Sequence, residues 1–358
     1  MGSTSKFTTD AVVIGSGHNG LAAAITLAQA GLEVTLLEAQ SSVGGGLHTS
    51  ELTLPGFHHD LCSGVHPMAA ASPFFSALPL ASFGLEWVSP TIPLAHPLGE
   101  EAVFLHTSLQ ETLAGLGNDA EQYSSLIEGF NRDFPMLKSD LMGPMLHLPR
   151  HPFRMIHFGV RAILPAHAIA HHYLKGHRLK ALFAGLAGHS GIPFHALGSS
   201  AIAMMLTAAA HHHNWPFPRG GAQQLAFTLA RYFQSLGGKI QTETRVDNLQ
   251  ELPRSRITIF DLGPNEIFRI VGTHAPTKLT TTTKRYRYGP GVYKIDYALR
   301  EPVPWKTNTI NSAGTTQELH LHNDGEALPA EKIWECLRHR FWGSASAFWQ
   351  MSSWPFQP

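Results

Sequence analysis

Residues 10–46 read DAVVIGSGHNGLAAAITLAQAGLEVTLLEAQSSVGGG, and this stretch decides the fold. Asp10 to Gly15 is a short apolar run ending in glycine, the pattern of a strand buried on both faces of a parallel sheet. Gly17 to Ala30 has the Ala- and Leu-rich composition of a helix and stops at Gly31, a glycine placed to terminate it. Glu33 to Ala39 predicts a second strand. Strand, helix and strand in about 30 residues make a βαβ unit, so an α/β fold with a parallel sheet is expected.

At the bend between strand and helix, Gly15-Ser16-Gly17-His18-Asn19-Gly20 is a GxGxxG sequence. Gly15 permits the tight turn, Gly17 lets a diphosphate approach the backbone, and Gly20 lets the helix pack closely on the strand. The free N–H groups and the positive end of the helix dipole then face the diphosphate. Glu38 lies 23 residues after Gly15, at the end of the second strand. An acid there accepts hydrogen bonds from the adenosine ribose and repels a 2′-phosphate. The bland alternative is a glycine-rich turn that binds nothing; the strand, helix and spaced acid around the motif weigh against it. GxGxxG recognises an ADP half and does not separate FAD from NAD. Val43-Gly44-Gly45-Gly46, just beyond the acid, lets the chain pass close to an extended cofactor.

Working outward, residues 40–75 read as irregular structure, and Glu86 to His106 as short β-like pieces. From Thr107 to about Ala210 the texture is helical. Pro135, Pro144, Pro149, Pro152, Pro165 and Pro193 interrupt it, predicting several short or medium helices. A helix follows Gly220–Gly221 and closes at Gly237–Gly238, and KIQTETRV and RITIFDL predict late strands that return to the first sheet. The expected organisation is a Rossmann-like domain from residues 1–75 and 215–275. A discontinuous mixed α+β substrate domain comes from 76–214 and 276–325, and 326–358 form an atypical C-terminal tail.

Lys plus Arg total 26 and Asp plus Glu total 26 in 358 residues, a sum that predicts no pull toward nucleic acid or anionic membrane. Two cysteines, Cys62 and Cys336, without CxxC spacing suggest neither a disulfide framework nor a zinc knuckle. The first residues lack the apolar core of a signal peptide, and no run reaches the roughly 20 apolar residues of a bilayer span. A cytoplasmic location is the expectation.

The opening stretch, with PGFHHDLCSG, LEWVSPTIPLAHPL, NWPFPRGGAQQLAFTLARYFQSLGGKI, TRVDNL and RYRYGPGVYKIDYAL, resembles the phytoene dehydrogenase-related flavoproteins. These are relatives of carotenoid desaturases and amine oxidases, and the likeness covers about residues 8–320. The resemblance implies FAD as cofactor and an FAD-dependent oxidoreductase of dehydrogenase or desaturase type, with hydride passing from substrate to flavin N5. It places the ADP part of FAD on Gly15, Ser16, Gly17, Asn19, Gly20, Glu38 and Ala39. Gly44 and Gly45 match the family's Gly-Gly pair, with Gly46 after it. Ser63 and Gly64 end a segment, Asp60 to Gly64, that runs toward the isoalloxazine. The backbone of Val246 meets the adenine, and Pro218 to Gly221 bring the chain back to the cofactor domain. No catalytic residue is assigned.

Two departures bear on this. Gly46 stands where relatives often carry Arg or Ala, so a side-chain contact to the diphosphate is absent. Relatives usually continue much further, through a glycine-rich segment that closes over the flavin, so a truncated or frame-shifted product is expected here. A truncated, catalytically impaired nucleotide-binding paralogue therefore stands as an alternative. A NAD-dependent dehydrogenase is another, against which the glycine cluster and the return strands argue. The implied partner is a small-molecule substrate, lipophilic if it follows relatives with lipid-like substrates; no nucleic acid is implied, and membrane association is open to such relatives although no segment here demands it.

Of the 23 histidines, His167 and His171 would share a helix face, but no supporting ligands suggest a metal. His66 follows the segment expected near the flavin and is a candidate base, with a packing role as the plainer reading. Tyr286, Tyr288, Tyr293 and Tyr297 read as strand residues packed on the second domain, or as a substrate wall. Leu182 to Ala187 and Ile202 to Leu206 read equally as core or as the lining of a lipophilic tunnel.

Overall fold

The structure, a computed structural model, describes residues 8–98, 101–144, 146–289, 294–300 and 316–319. The tail from residue 326, Cys336 and Tyr293 lie outside the described residues.

The chain opens with β1 (Ala11–Ile14), α1 (His18–Gln29) and β2 (Val34–Leu37), as the sequence predicts. Both strands are wholly buried, which is why they read as unbroken apolar runs rather than alternating ones. Two short strands, β3 (Thr49–Ser50) and β4 (His59–Asp60), form a hairpin, followed by short helices α2 (Pro67–Ala71) and α3 (Pro73–Ser76). Next come β5 (Trp87–Val88), β6 (Ile92–Leu98) and β7 (Glu101–Leu105). Six helices follow: α4 (Leu109–Leu116), α5 (Ala120–Leu141), α6 (Pro152–Ala162), α7 (Ala166–His172), α8 (His177–Gly188) and α9 (Ser199–His213). The return is β8 (Phe217–Pro218), α10 (Gln223–Ser235), β9 (Lys239–Gln241), β10 (Ile257–Phe260), α11 (Pro264–Val271) and α12 (Thr277–Arg285), with β11 (Thr316–Leu319) last.

The first sheet is parallel throughout, in the order β10-β1-β2-β9. The late strands therefore flank the opening pair, and Ile14 stands beside both Leu37 and Phe260. One face of the sheet packs on α1 and α10 through Leu21, Ala24, Ile25, Leu225, Leu229 and Phe233. Leu80 and Leu85 join the same cluster. On the other face, Val12, Ile14 and Leu37 meet Val246 and Ile270. A second core lies among α4–α9, with α9 at its centre and Trp215 fully buried at its end. There Trp215 Nε1 donates to the Leu206 carbonyl at 3.2 Å. Leu182, Phe183, Leu186, Ala187, Ala203, Met204 and Leu206 all belong to this core, which answers their ambiguity in favour of packing.

Three expectations need correction. Pro135 does not interrupt a helix; it lies inside α5. A proline there leaves the carbonyl of the residue four before it without its helical donor. That carbonyl is Asn131's, and His212 Nε2 on α9 donates to it at 2.7 Å. The strand predicted over KIQTETRV ends at Gln241. Glu243 takes a left-handed φ of 53°, and the chain folds across the end of β2, with Glu243 and Thr244 donating to the carbonyls of Gln40 and Glu38. Tyr286, Tyr288 and Tyr297 are not packed strand residues: they are about half exposed, and the first two lie just past α12, edge to face with each other.

Candidate functional site

The end of β1 turns through Gly15 and Ser16 into α1. Beyond the C-terminal ends of β1, β2 and β10 a cleft of about 420 Å³ opens at this turn. Gly15, Ser16, Gly17, Asn19, Glu38, Ala39, Gly45, Gly46 and Val246 line it, so most of the residues singled out in the sequence converge on one place.

Gly20 and Gly44 support the cleft without lining it. A Cβ on Gly20 would stand 2.2 Å from the Gly15 carbonyl oxygen, so only glycine allows α1 this close to the turn. Gly44 donates its N–H to Ser16 O at 3.1 Å, which fixes the second glycine cluster against the first. Gly45 follows with a φ of +58°, and a Cβ there would meet Gly17 Cα at 3.0 Å. The two glycine turns thus face each other backbone to backbone. Ser63 and Gly64 lie outside this cleft; the Ser63 hydroxyl donates to the Val65 carbonyl.

The backbone N–H groups of Ser16, Gly20 and Gly44 are taken up within the protein. Among the described residues, none accepts from the N–H groups of Gly17, His18, Asn19, Gly45 or Gly46. Unpaired amides grouped at a helix N-terminus form a receptor for anionic oxygen.

Glu38 is buried and lines the same cleft, next to the glycine turn. Its Oε2 accepts from the Ser16 N–H at 2.9 Å and from the Ser16 hydroxyl, and Oε1 accepts from the Gln40 N–H at 2.9 Å. The acid therefore ties the glycine turn to the end of β2, with lone pairs left for a ligand hydroxyl.

Several lining residues were not foreseen: Thr244, Arg245, Asp261, Leu262, Glu266 and Arg269. Asp261, directly after β10, matters most. Its Oδ2 accepts from the Gly20 N–H at 2.8 Å, so the positive end of α1 does not await an anion alone but already carries a carboxylate. Arg269 and Arg245 reach the Asp247 carboxylate at 2.5 and 3.2 Å, and together they hold Asp247 below the usual carboxylate range.

His66 does not line the cleft. Its backbone N–H donates to the Pro216 carbonyl, its Nε2 is buried without a partner among the described residues, and its ring lies 6.5 Å from Trp87. The His167 and His171 rings are 5.8 Å apart, and no group of three or more potential ligands among the described residues is placed to hold a metal.

The NAD(P)-binding Rossmann-like domain family matches residues 13–77. Over 123 residues, the chain is 32% identical to one of the subunits of limonene dehydrogenase from Castellaniella defragrans, covering 33% of this chain and 22% of that protein. Over 253 residues it is 27% identical to hydroxyneurosporene desaturase of Cereibacter sphaeroides, covering 64% of this chain and 48% of that protein. The chain thus spans less than half the length of these relatives. An oxidoreductase from Methanosarcina mazei has the same fold, with a TM-score of 0.56 at 15% identity, over 77% of this chain and 65% of that one.

Proposed function

We propose, for a chain related to the carotenoid desaturase-like oxidoreductases, that the cleft at the start of α1 holds the ADP half of FAD and that the protein is an FAD-dependent oxidoreductase. The observation that carries this reading is the set of unpaired amides on one cleft, at Gly17, His18, Asn19, Gly45 and Gly46, with the buried Glu38 carboxylate lining the same cleft beside Ser16. In this reading the amides take the diphosphate, Glu38 accepts from the ribose hydroxyls, and the backbone of Val246 faces the adenine. Val246 N–H and C=O have no partner among the described residues, which suits that part. A side chain at Gly45 would press on Gly17 and disturb the turn that carries the unpaired amides.

When bound, FAD supplies a two-electron acceptor for hydride from the substrate. The chain's own work is to orient it and to exclude water. Ser63 and Gly64, outside the ADP cleft, would serve the ring end of the cofactor. His66, buried and unpartnered at Nε2, would offer a neutral imidazole there. The proposed cofactor domain comprises residues 1–85 and 215–275, extended from 75 because Leu80 and Leu85 pack with α1 and α10. The remainder, built around α4–α9, would shape the substrate site. A small, apolar substrate fits the kinship with a limonene dehydrogenase and a hydroxyneurosporene desaturase.

The test is flavin content. The purified chain is expected to carry FAD, or to bind it on titration with quenching of flavin fluorescence; ADP should compete, and FMN, which lacks the adenosine and one of the two phosphates, should bind far more weakly. Binding of NAD in place of FAD would move the protein to a nicotinamide dehydrogenase. Binding of neither would leave a dinucleotide fold without its ligand.

A further inference from the structure

Charge in this chain is balanced in sum but not in place. Between Asp140 and Glu243 there is no Asp or Glu, while the first part of that stretch carries Arg150, Arg154, Arg161, Lys175, Arg178 and Lys180. The most exposed large apolar side chains among the described residues fall in the same stretch: Leu146 at 97%, Leu148 at 94% and Phe153 at 85%. On α6 and at its C-terminal cap, Phe153, Ile156, Val160 and Ile163 are all more than half exposed. Their spacing puts them on one stripe, within about 80° of arc at 3.6 residues per turn. The opposite side of α6 buries Phe158 and Ala162 in the helical core. The helix is therefore anchored by one apolar face and shows a second to solvent. Gly198 N–H donates to the Ile163 carbonyl at 2.8 Å, so exposed Leu197 extends the stripe.

We propose that α6 and the loop before it dock on an anionic lipid bilayer, the helix lying in the plane of the headgroups. The apolar stripe alone would suit several partners; the charge around it selects this one. A second copy would bring an equally cationic stretch against the first, with Asp133, Asp140 and Glu101 from neighbouring elements already engaged by Arg154, His147 and Arg178, and like charges would oppose the contact. A bilayer with acidic headgroups satisfies both parts, taking Phe153 and its neighbours at the acyl boundary and the arginines at the phosphates. Arg154 is paired with Asp133; Arg150 meets Asp140 through its backbone N–H alone, the Arg161 guanidinium meets His157, and no ion pair joins either guanidinium to a carboxylate among the described residues. No described helix is long and apolar enough to cross a membrane, which matches a helix that lies on one. The balanced total charge, which predicted no pull toward an anionic membrane, concealed this segregation.

The experiment is co-flotation of the full chain with vesicles of phosphatidylcholine alone or mixed with phosphatidylglycerol. The chain should float with the mixed vesicles, less so at raised salt, and remain behind with phosphatidylcholine alone. Phe153→Ser with Ile156→Ser should cut partitioning by about tenfold or more. Arg150→Ser and Arg161→Ser should each cut it by about fivefold, with little change in thermal unfolding because neither side chain is buried. If the double apolar variant fails to fold, Ile156→Asn alone gives the same reading. Failure of the wild type to float with mixed vesicles overturns the proposal, as does equal flotation of every variant. So does a concentration-dependent dimer that the apolar variant abolishes while lipid has no effect. Flavin content does not enter any of these readouts, so the outcome is separable from that of the cofactor assignment.

Discussion

Asp261, at the end of β10, accepts a hydrogen bond from the backbone N–H of Gly20 in the first turn of α1 at 2.8 Å. A carboxylate at a helix N-terminus steadies the helix by about 0.3–1 kcal/mol. Here it also adds a negative charge to the cleft assigned to a diphosphate. Asn in its place keeps an oxygen for Gly20 and removes the charge. Asp261→Asn is therefore expected to tighten FAD binding by roughly fivefold, about 1 kcal/mol, with the gain shrinking as salt rises. Fluorescence titration with FAD at two ionic strengths measures it, and weaker binding by the variant would mean that the carboxylate positions the turn rather than opposing the ligand.

The turn itself tolerates no Cβ. At Gly20 a methyl group would stand 2.2 Å from the Gly15 carbonyl oxygen and 2.9 Å from Asp261 Oδ2. The nearer obstacle is backbone, so no rotamer change relieves it. Gly20→Ala should force α1 away from β1, destabilise the fold by about 1–3 kcal/mol and lose flavin. Gly159, within α6, is the opposite case: a Cβ added there would meet nothing within 4 Å, and Gly159→Ala should stabilise by about 0.5–1 kcal/mol. Thermal unfolding of the two variants should shift in opposite directions.

The unit β1–α1–β2 and the acid Glu38 were legible because their signals are local: an apolar run, a glycine triplet and a fixed spacing. Asp261 was not, although it follows the predicted return strand RITIFDL directly. It meets Gly20 across 241 positions, and only the placement of β10 beside β1 brings them together. The helical region was read as broken at Pro135 for the same reason. A proline breaks a helix when the carbonyl it strands finds no donor, and here the donor comes from α9. The exposed apolar stripe of α6 has no signature in the sequence, because periodicity does not say which side of a helix is covered.

The Pro135 arrangement predicts an interaction between two distant residues. His212→Ala leaves the Asn131 carbonyl to water and should cost about 0.5–1.5 kcal/mol, the net worth of one hydrogen bond at an exposed site. Pro135→Ala restores a backbone N–H that can pair with the same carbonyl. In that background the loss of His212 should cost less, and a double-mutant cycle by chemical denaturation reads the difference. Equal costs in both backgrounds would show that the imidazole acts elsewhere, for instance through its stacking on Phe134.

Buried histidines set the acid side of stability. Burial, aided by His18, pushes the His66 imidazole down from 6.5 to about 4. His59 and His211 are also lowered, burial being the main cause in each. Between the lowered value and 6.5 the unfolded chain takes a proton that the folded chain refuses. Stability therefore rises with pH through this window and falls as pH drops from 6.5 toward 4. For His66 the whole window is worth about 3 kcal/mol. Asp60, raised above 3.8 by burial, works the other way near the acid end, because the folded chain there holds the proton more tightly than the unfolded one. The unfolding midpoint should thus fall between pH 7 and pH 5 in the wild type. His66→Asn, which cannot titrate, should flatten that dependence while the other lowered histidines, His59, His106, His167, His211 and His213, retain a remainder, and an unchanged pH slope in the variant would place the controlling protonation among those residues instead.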